Sequence, residues 1–197
     1  MATFHIHQKI TAFANQYRIY EDKDGAPGAL IGFAHQKRLA IKEQFLVYAD
    51  ESKQDISFTI KARSVLELAG AYDVEDAQGE RLGTLRKQFK QSLINSTWHI
   101  TAQSNDDTLF VCRERSAPLA ILRRVWGFVP FIGDLPFMLK YHFDFTDPVL
   151  KTVVGGYAKT TLLRDHYQLT FEDGALENID PRVLIAQGIA LDALQSR

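Results

Sequence analysis

The sequence predicts a mainly β protein, a twelve-stranded antiparallel closed barrel around a central hydrophobic C-terminal α-helix. Three observations lead to this prediction. Short segments with period-two alternation recur along the chain, most of them have a partner segment beside them, and the chain closes with an apolar stretch. Alternation that ends in Asp, Asn or Gly is typical of a strand that enters a hairpin turn.

An aromatic residue opens each of six recurring segments. The segments are YRIYEDKDG, FLVYADESK, YDVEDAQG, WHITAQSND, YHFDFTD and YQLTFEDG, from Tyr17, Phe45, Tyr72, Trp98, Tyr141 and Tyr167. Four of the five intervals between these residues are 26 to 28 residues long, and the interval from Trp98 to Tyr141 is 43. The partner segments are TFHIHQK, ALIGFAH, DISFTIK, RLGTLRK, TLFVCRE and TVVGGYAK. Together they predict about twelve strands in a hairpin repeat.

Residues 181–195 form the predicted central helix, with Asp180 as its N-cap and Pro181 at its first position. The stretch is apolar on nearly all sides, so it must be buried in a core or in a membrane. The fourteen residues from Pro181 to Leu194 span about 21 Å as a helix, which is short of a hydrocarbon core of about 30 Å. Asp192 also lies inside the stretch. A sandwich of two sheets is the alternative to a barrel, but a can of about eleven strands can hold a helix and therefore suits this one.

The segment RSVLELAGAYDVEDAQGERLGTLRKQF, followed by a strand with Trp98, resembles the LURP-one-related family of the Tubby C-terminal-like superfamily. The hydrophobic terminal helix resembles the same group, which also includes the phospholipid scramblases. The resemblance extends over residues 4–194 and its motifs are structural, without a catalytic signature. It implies a twelve-stranded barrel around a central C-terminal helix. The link to Tubby-like domains further implies phosphoinositide recognition.

Length and composition fit one globular domain that spans residues 1–197. The net charge is −1, so attraction to a charged partner must come from segregated charge, and no nucleic-acid partner is expected. A single cysteine, Cys112, suits a reducing compartment, and the N-terminus shows no secretory signal. We therefore expect a cytoplasmic protein that associates with membranes peripherally.

Charge is predicted to segregate between the two rims of the barrel. The turns after the aromatic segments are acidic, whereas the partner strands end in Lys and Arg. Basic residues at strand ends also prevent edge pairing or solvate the surface, which is the alternative explanation. If the basic rim binds an anionic headgroup, the candidate residues are Lys61, Arg63, Arg86, Lys87, Arg123 and Arg124.

The long interval contains an insertion, residues 117–139, that leaves the basic rim. Its aromatic residues include Trp126, Phe128 and Phe131, and its prolines prevent one continuous spanning helix. Aromatic and aliphatic residues beside Arg123 and Arg124 are typical of an interfacial segment. The same composition suits a segment that plugs one end of the barrel. Trp126, Phe128 and Phe131 are the candidates for contact with a membrane or a partner.

No motif for catalysis, a metal or a cofactor is present. A nucleophilic triad and a P-loop are missing, and Cys112 lies in a strand where a small buried residue is expected. His5 and His7 share one strand face, but no third ligand is indicated. The carboxylates before the helix depart from an EF-hand pattern, so they are better explained by the helix dipole than by calcium.

These observations favour a non-catalytic binding domain without a cofactor, which recognises anionic phospholipid headgroups at its basic rim. The alternative is a protein-interaction scaffold that docks a protein partner through the insertion 117–139. A remote alternative is scramblase-like lipid transfer. Bilayer insertion would be required for that activity, and no segment is long and continuous enough to support it.

Overall fold

Alternating apolar residues along the chain produce twelve strands and one helix in the computed structural model. The structure describes residues 1–10, 15–36, 44–63, 70–88, 96–103, 107–116, 142–161 and 165–194. The strands, numbered β1 to β12, are Ala2–Ile10, Asn15–Lys23, Ala26–Gln36, Gln44–Tyr48, Ile56–Ala62, Ala71–Asp76, Arg81–Lys87, Thr97–Ala102, Thr108–Glu114, His142–Thr146, Val153–Lys159 and His166–Phe171. The helix, α1, is Pro181–Ala193.

Every strand pairs antiparallel with its neighbours in the sequence, and β1 pairs with β12 to close the barrel. At this seam Ala2 lies opposite Phe171 and His7 lies opposite His166. The predicted twelve-stranded antiparallel closed barrel is therefore confirmed. Closure leaves no strand with an unpaired edge, which is how a barrel avoids aggregation through its sheet.

Because side chains alternate between the two faces of a strand, every second side chain points into the barrel. In β12, for example, Tyr167, Leu169 and Phe171 are buried while the residues between them are half-buried. The inward residues include the largest fully buried side chains of the described chain, Trp98 and Tyr17 among them. These side chains surround α1 in a single core cluster.

Helix α1 is central because its apolar residues contact the inner wall on several sides. Every residue from Val183 to Leu191 is buried. The sheet lies close to the helix at Gly83 of β7, where an added Cβ would lie 3.0 Å from the methyl groups of Val183. An added Cβ on Gly188 would lie 2.8 Å from Ile6 of β1 and 3.2 Å from Tyr157 of β11. The predicted helix at 181–195 is confirmed over 181–193, and residues 195–197 lie outside the described residues.

The direction of α1 distinguishes the two rims. The helix-start rim, where α1 begins, contains the connections 24–25, 49–55, 77–80, 103–107, 147–152 and 172–180. The helix-end rim, where α1 ends, contains the connections 11–14, 37–43, 63–70, 88–96, 115–141 and 160–165. At the helix-start rim Asp180 caps α1, because its side chain accepts from the backbone N–H of Arg182 and Pro181 follows it.

Candidate functional site

Two of the predicted basic residues share a row on the outer face of the barrel. The backbone N–H of Arg63 donates to the carbonyl of Ala71 at 2.9 Å, and Ala71 lies opposite Arg86. Residues that lie opposite each other in an antiparallel sheet project from the same face. Arg63 and Arg86 therefore lie at the helix-end rim on one face, separated by β6.

Lys61 and Arg63 are paired with carboxylates of the neighbouring strand β6. Arg63 donates from Nε and Nη2 to Asp73 at 2.8 and 2.7 Å, and also from Nη2 to the hydroxyl of Thr84 at 3.0 Å. The Lys61 ammonium forms an ion pair with Glu75. Part of the charge of Lys61 and Arg63 is thus neutralised within the sheet. Glu75 was placed in an acidic turn by sequence, but it lies on β6 itself.

Arg86 is the predicted residue that remains most available to an outside anion. Its side chain is exposed, and it forms no ion pair with any residue in the described ranges. His99 lies opposite it on β8, and burial together with the charge of Arg86 lowers the pKa of this histidine. His99 therefore stays neutral and adds no second positive charge beside Arg86 at neutral pH.

Lys87 points into the mouth of the barrel. It lies opposite the inward-facing Trp98, and its ammonium sits 5.7 Å from the centre of that ring. The same ammonium donates to the carbonyl of Leu194, the C-cap of α1, at 3.5 Å. A cation at a helix C-terminus complements the helix dipole, so Lys87 supports the end of α1.

The insertion 117–139 lies outside the described residues. This applies to the three predicted membrane or partner contacts and to two of the predicted headgroup residues: Trp126, Phe128, Phe131, Arg123 and Arg124. The described ends of β9 and β10 place both ends of this connection at the helix-end rim. The predictions of an interfacial segment, of a plug and of a partner-docking scaffold all stay predictions.

The helix-start rim is acidic in its described connections. At the helix-start rim, the described connections carry these acidic residues: Asp24, Asp50, Glu51, Asp55, Glu80, Asp107, Asp147, Glu172, Asp173, Glu177 and Asp180. The same connections contain two lysines, Lys53 and Lys151, among their described residues.

By sequence, the connections at the helix-end rim have the opposite balance. Their basic residues are Lys37, Arg38, Lys42, Arg63, Lys90, Arg115, Arg123, Arg124, Lys140 and Arg164. Their acidic residues are Glu43, Glu67, Asp134 and Asp165. Arg63, Arg115 and Asp165 are the described members of this set, so the basic character of the helix-end rim stays a prediction.

A polar network that sequence patterns did not reveal lies where α1 ends. Asp192 accepts from the Tyr17 hydroxyl at 2.8 Å and from the Tyr167 hydroxyl, and Gln8 donates to the Tyr17 hydroxyl at 3.2 Å. Burial raises the pKa of Asp192 to about 6, although the two tyrosine hydrogen bonds act in the opposite direction. The partners come from β1, β2 and β12, so no local pattern could have indicated them.

Comparison with known proteins identifies the family. The family model described as LURP-one-related matches residues 31–192, from β3 through most of α1. The chain belongs to the LURP-one-related family. The predicted resemblance is thereby confirmed, and the link to the Tubby-like superfamily is consistent with it. A search of curated proteins finds no match to this LURP-one-related chain.

The histidines of this LURP-one-related protein form no metal centre within the described residues. His5 Nε2 lies 2.7 Å from the Asp22 carboxylate, and His7 stacks on His166 with 3.8 Å between ring centres. Burial, followed by the neighbouring charges of His166, His5 and Arg18, lowers the pKa of His7 to about 4. The rings of His7 and His166 are therefore stacked on each other on the outer face of the barrel.

Burial explains the state of Cys112 in this LURP-one-related chain, and ion pairs account for two of the carboxylates before α1. Burial raises the pKa of the Cys112 thiol well above its ordinary value, so this cysteine stays protonated and unreactive. Two of the carboxylates before α1 are paired with cations, Asp173 with the N-terminal amine of Met1 and Asp180 with Arg182.

No helix in the described part of the chain has the length and apolarity to cross a membrane.

Proposed function

We propose that this LURP-one-related protein is a non-catalytic binding domain whose helix-end rim associates with anionic phospholipid headgroups. The proposal is supported by the acidic helix-start rim and by the basic residues that the sequence places in the helix-end connections. One rim attracts an anionic surface and the other is repelled by it, so the barrel approaches such a surface with its helix-end rim first. The resemblance to Tubby-like domains favours phosphoinositides among the anionic lipids.

The expected strength of binding follows from the number of available cations. A Lys or Arg near an anionic leaflet contributes about 1 kcal/mol. Arg86 contributes in full, whereas Lys61 and Arg63 contribute less because Glu75 and Asp73 already neutralise part of their charge. The other basic residues that the sequence places in the helix-end connections would add to this, and several such contributions are enough for reversible, peripheral association.

Arg123 and Arg124 extend this proposal to the insertion 117–139. The two arginines precede Trp126, Phe128 and Phe131, and both ends of the insertion join strands at the helix-end rim. Basic residues next to aromatic residues suit the interface between headgroups and acyl chains. In this proposal the arginines bind headgroups while the aromatic side chains enter the interface.

Vesicle sedimentation tests the proposal with a matched pair of variants. The probes are phosphatidylcholine vesicles with rising fractions of phosphatidylserine or of a phosphoinositide, each in a salt series. We expect binding to rise with anionic lipid and fall with salt, because exposed charges are screened. Arg86→Ala removes one exposed cation at the helix-end rim, and Lys151→Ala removes one at the helix-start rim.

The proposal predicts a different outcome for each of the two variants. Arg86→Ala is expected to weaken binding about fivefold, as the loss of about 1 kcal/mol requires, and Lys151→Ala is expected to leave it unchanged. The double variant Arg123→Ala/Arg124→Ala is expected to weaken binding further. Binding that depends on neither anionic lipid nor salt would refute the electrostatic mechanism, and equal losses in Arg86→Ala and Lys151→Ala would refute the assignment to one rim.

A further inference from the structure

We propose that the helix-start rim carries a docking surface for a cationic amphipathic segment of a partner protein. The surface is the aliphatic tip, which consists of Val149, Leu150 and Val153 in and beside the β10–β11 connection. These side chains are 84%, 70% and 50% exposed, respectively. Single exposed aliphatic residues are common on proteins, but three that lie together at a loop tip mark an interaction surface.

The aliphatic tip is held in one conformation by the Asp147 side chain. Its Oδ1 accepts from the backbone N–H groups of Val149 and Leu150 at 2.7 and 2.9 Å. The backbone of Asp147 adds two hydrogen bonds of 2.9 Å, one with Thr152 and one with Lys151. A loop that is already ordered loses little conformational freedom when a partner binds, so more of the contact energy appears as affinity.

Carboxylates adjoin the aliphatic tip. The backbone N–H of Glu172 donates to the carbonyl of Val154 at 2.9 Å, which places Glu172 opposite Val154, the residue after Val153. Asp173 follows, and both acidic side chains are exposed. The described connections of this rim together contain eleven carboxylates and two lysines. Lys151 lies within the connection and the Met1 amine pairs with Asp173, so the excess negative charge beside the aliphatic tip comes from Asp147 and Glu172.

Charge complementarity selects the occupant. An anionic membrane could bury Val149 and Leu150 in its hydrocarbon interior, but its negatively charged surface would repel the acidic rim. A protein segment with aliphatic side chains on one face and Lys or Arg on the other matches both features. The surface lies at the opposite end from the rim that we propose for lipid, so one barrel can hold both partners at once.

Fluorescence anisotropy with two designed peptides tests the inference. One probe is an amphipathic helix of leucine and lysine, and the second replaces every lysine by glutamate. Val149→Ser/Leu150→Ser removes the aliphatic tip, and Glu172→Gln removes one adjoining charge. Ile31→Ser is the matched control, since Ile31 is an aliphatic residue, 39% exposed, on β3 away from this connection.

We expect the lysine peptide to bind and the glutamate peptide not to bind. Val149→Ser/Leu150→Ser should weaken binding of the lysine peptide at least tenfold, Glu172→Gln about twofold to fivefold, and Ile31→Ser not at all. A thermal melt confirms that each variant is folded. Absence of lysine-peptide binding, or an equal loss in Ile31→Ser, would overturn the inference. Binding of phosphatidylserine vesicles that Val149→Ser/Leu150→Ser abolishes would instead assign the tip to lipid.

Discussion

Asp180 and Asp192 lie at opposite ends of α1, one at each rim, and their surroundings differ. Asp180 accepts from the backbone and the guanidinium of Arg182, at 2.9 Å and 2.7 Å for the shortest contacts. Burial raises the pKa of Asp180, but these hydrogen bonds and the charge of Arg182 outweigh it, so the pKa is lowered. Asp192 receives hydrogen bonds from two neutral tyrosines, and burial raises its pKa to about 6.

The difference shows that burial and the available partners decide how an aspartate at a helix end affects stability. A carboxylate at a helix N-terminus is favoured by the helix dipole and by an adjacent cation, as for Asp180. A carboxylate in the last turn faces the negative end of the dipole, and the tyrosine hydroxyls offset only part of the cost of burial. One aspartate thus stabilises the fold at neutral pH, and the other destabilises it relative to its protonated form.

The largest expected effect comes from a second carboxylate beside Asp192. Leu191→Asp places a charge where the side chain is fully buried, without the two tyrosine donors that serve Asp192. An unpaired buried charge costs several kcal/mol against a total stability of about 5–15 kcal/mol, so we expect the domain to unfold. Denaturant unfolding measures the loss, with Leu191→Met as the volume-conserving control. A monomeric Leu191→Asp protein with unchanged melting would contradict the central position of α1.

The pH dependence of stability tests the assignment of Asp192. Its folded pKa of about 6 exceeds the ordinary 3.8, so the folded state binds the extra proton between these values. Protonated Asp192 therefore stabilises the fold at low pH, and this stabilisation is lost as pH rises through about 6. The loss is roughly 3 kcal/mol, because each pH unit between the two pKa values contributes about 1.4 kcal/mol. Asp192→Asn should remove this loss in urea titrations from about pH 2 to about pH 8.

Asp180→Asn serves as the opposite control for that experiment. The pKa of Asp180 is lowered in the folded state, so its contribution is present above the unfolded pKa and is lost on acidification. Its removal should flatten the acid side of the profile instead. If both variants change the same side of the profile, the contrast between the helix ends is wrong.

Packing at the start of α1 gives the next largest effect. A Cβ at Gly83 would lie 2.4 Å from the carbonyl of Thr101 and 3.0 Å from Val183, so the sheet and the helix must move apart in Gly83→Ala. Overpacking of this kind costs about 1–3 kcal/mol. Gly156→Ala is the matched control, because the nearest atom to its added Cβ is 3.7 Å away. Thermal unfolding should therefore give a lower melting temperature for Gly83→Ala than for Gly156→Ala.

The smallest effect is the loss of the helix cap. Asp180→Ala removes the acceptor for the Arg182 N–H and should cost about 1 kcal/mol. Asp180→Ser keeps a capping oxygen but not the ion pair with Arg182, so it should recover most of the loss. Equal destabilisation by both substitutions would show that the ion pair, and not the cap, stabilises this end of α1.

Local patterns in the sequence were sufficient to predict the barrel and its helix. Period-two alternation depends on residues two apart, and the cap depends on Asp180 and its neighbours, so both signals are present in short windows. The apolar helix then required an enclosing wall, which favoured a barrel. These predictions needed no knowledge of the register between strands.

The candidate site was predicted less completely because it depends on that register. Asp73 and Glu75 neutralise Arg63 and Lys61 across a strand pair, and only the pairing of β5 with β6 brings them together. The inward direction of Lys87 likewise follows from its position opposite Trp98. Charge counted along the sequence therefore overestimated the free positive charge on this part of the rim.

The seam between β1 and β12 has a consequence for synthesis. Ala2 pairs with Phe171, and α1 follows the last strand, so the first strand is made long before its partner and before the core that it covers. An incomplete chain is an open sheet with two free edges and a hollow apolar interior, which is prone to aggregation. The barrel can close only after β12 leaves the ribosome, and the nascent chain exposes this interior until then.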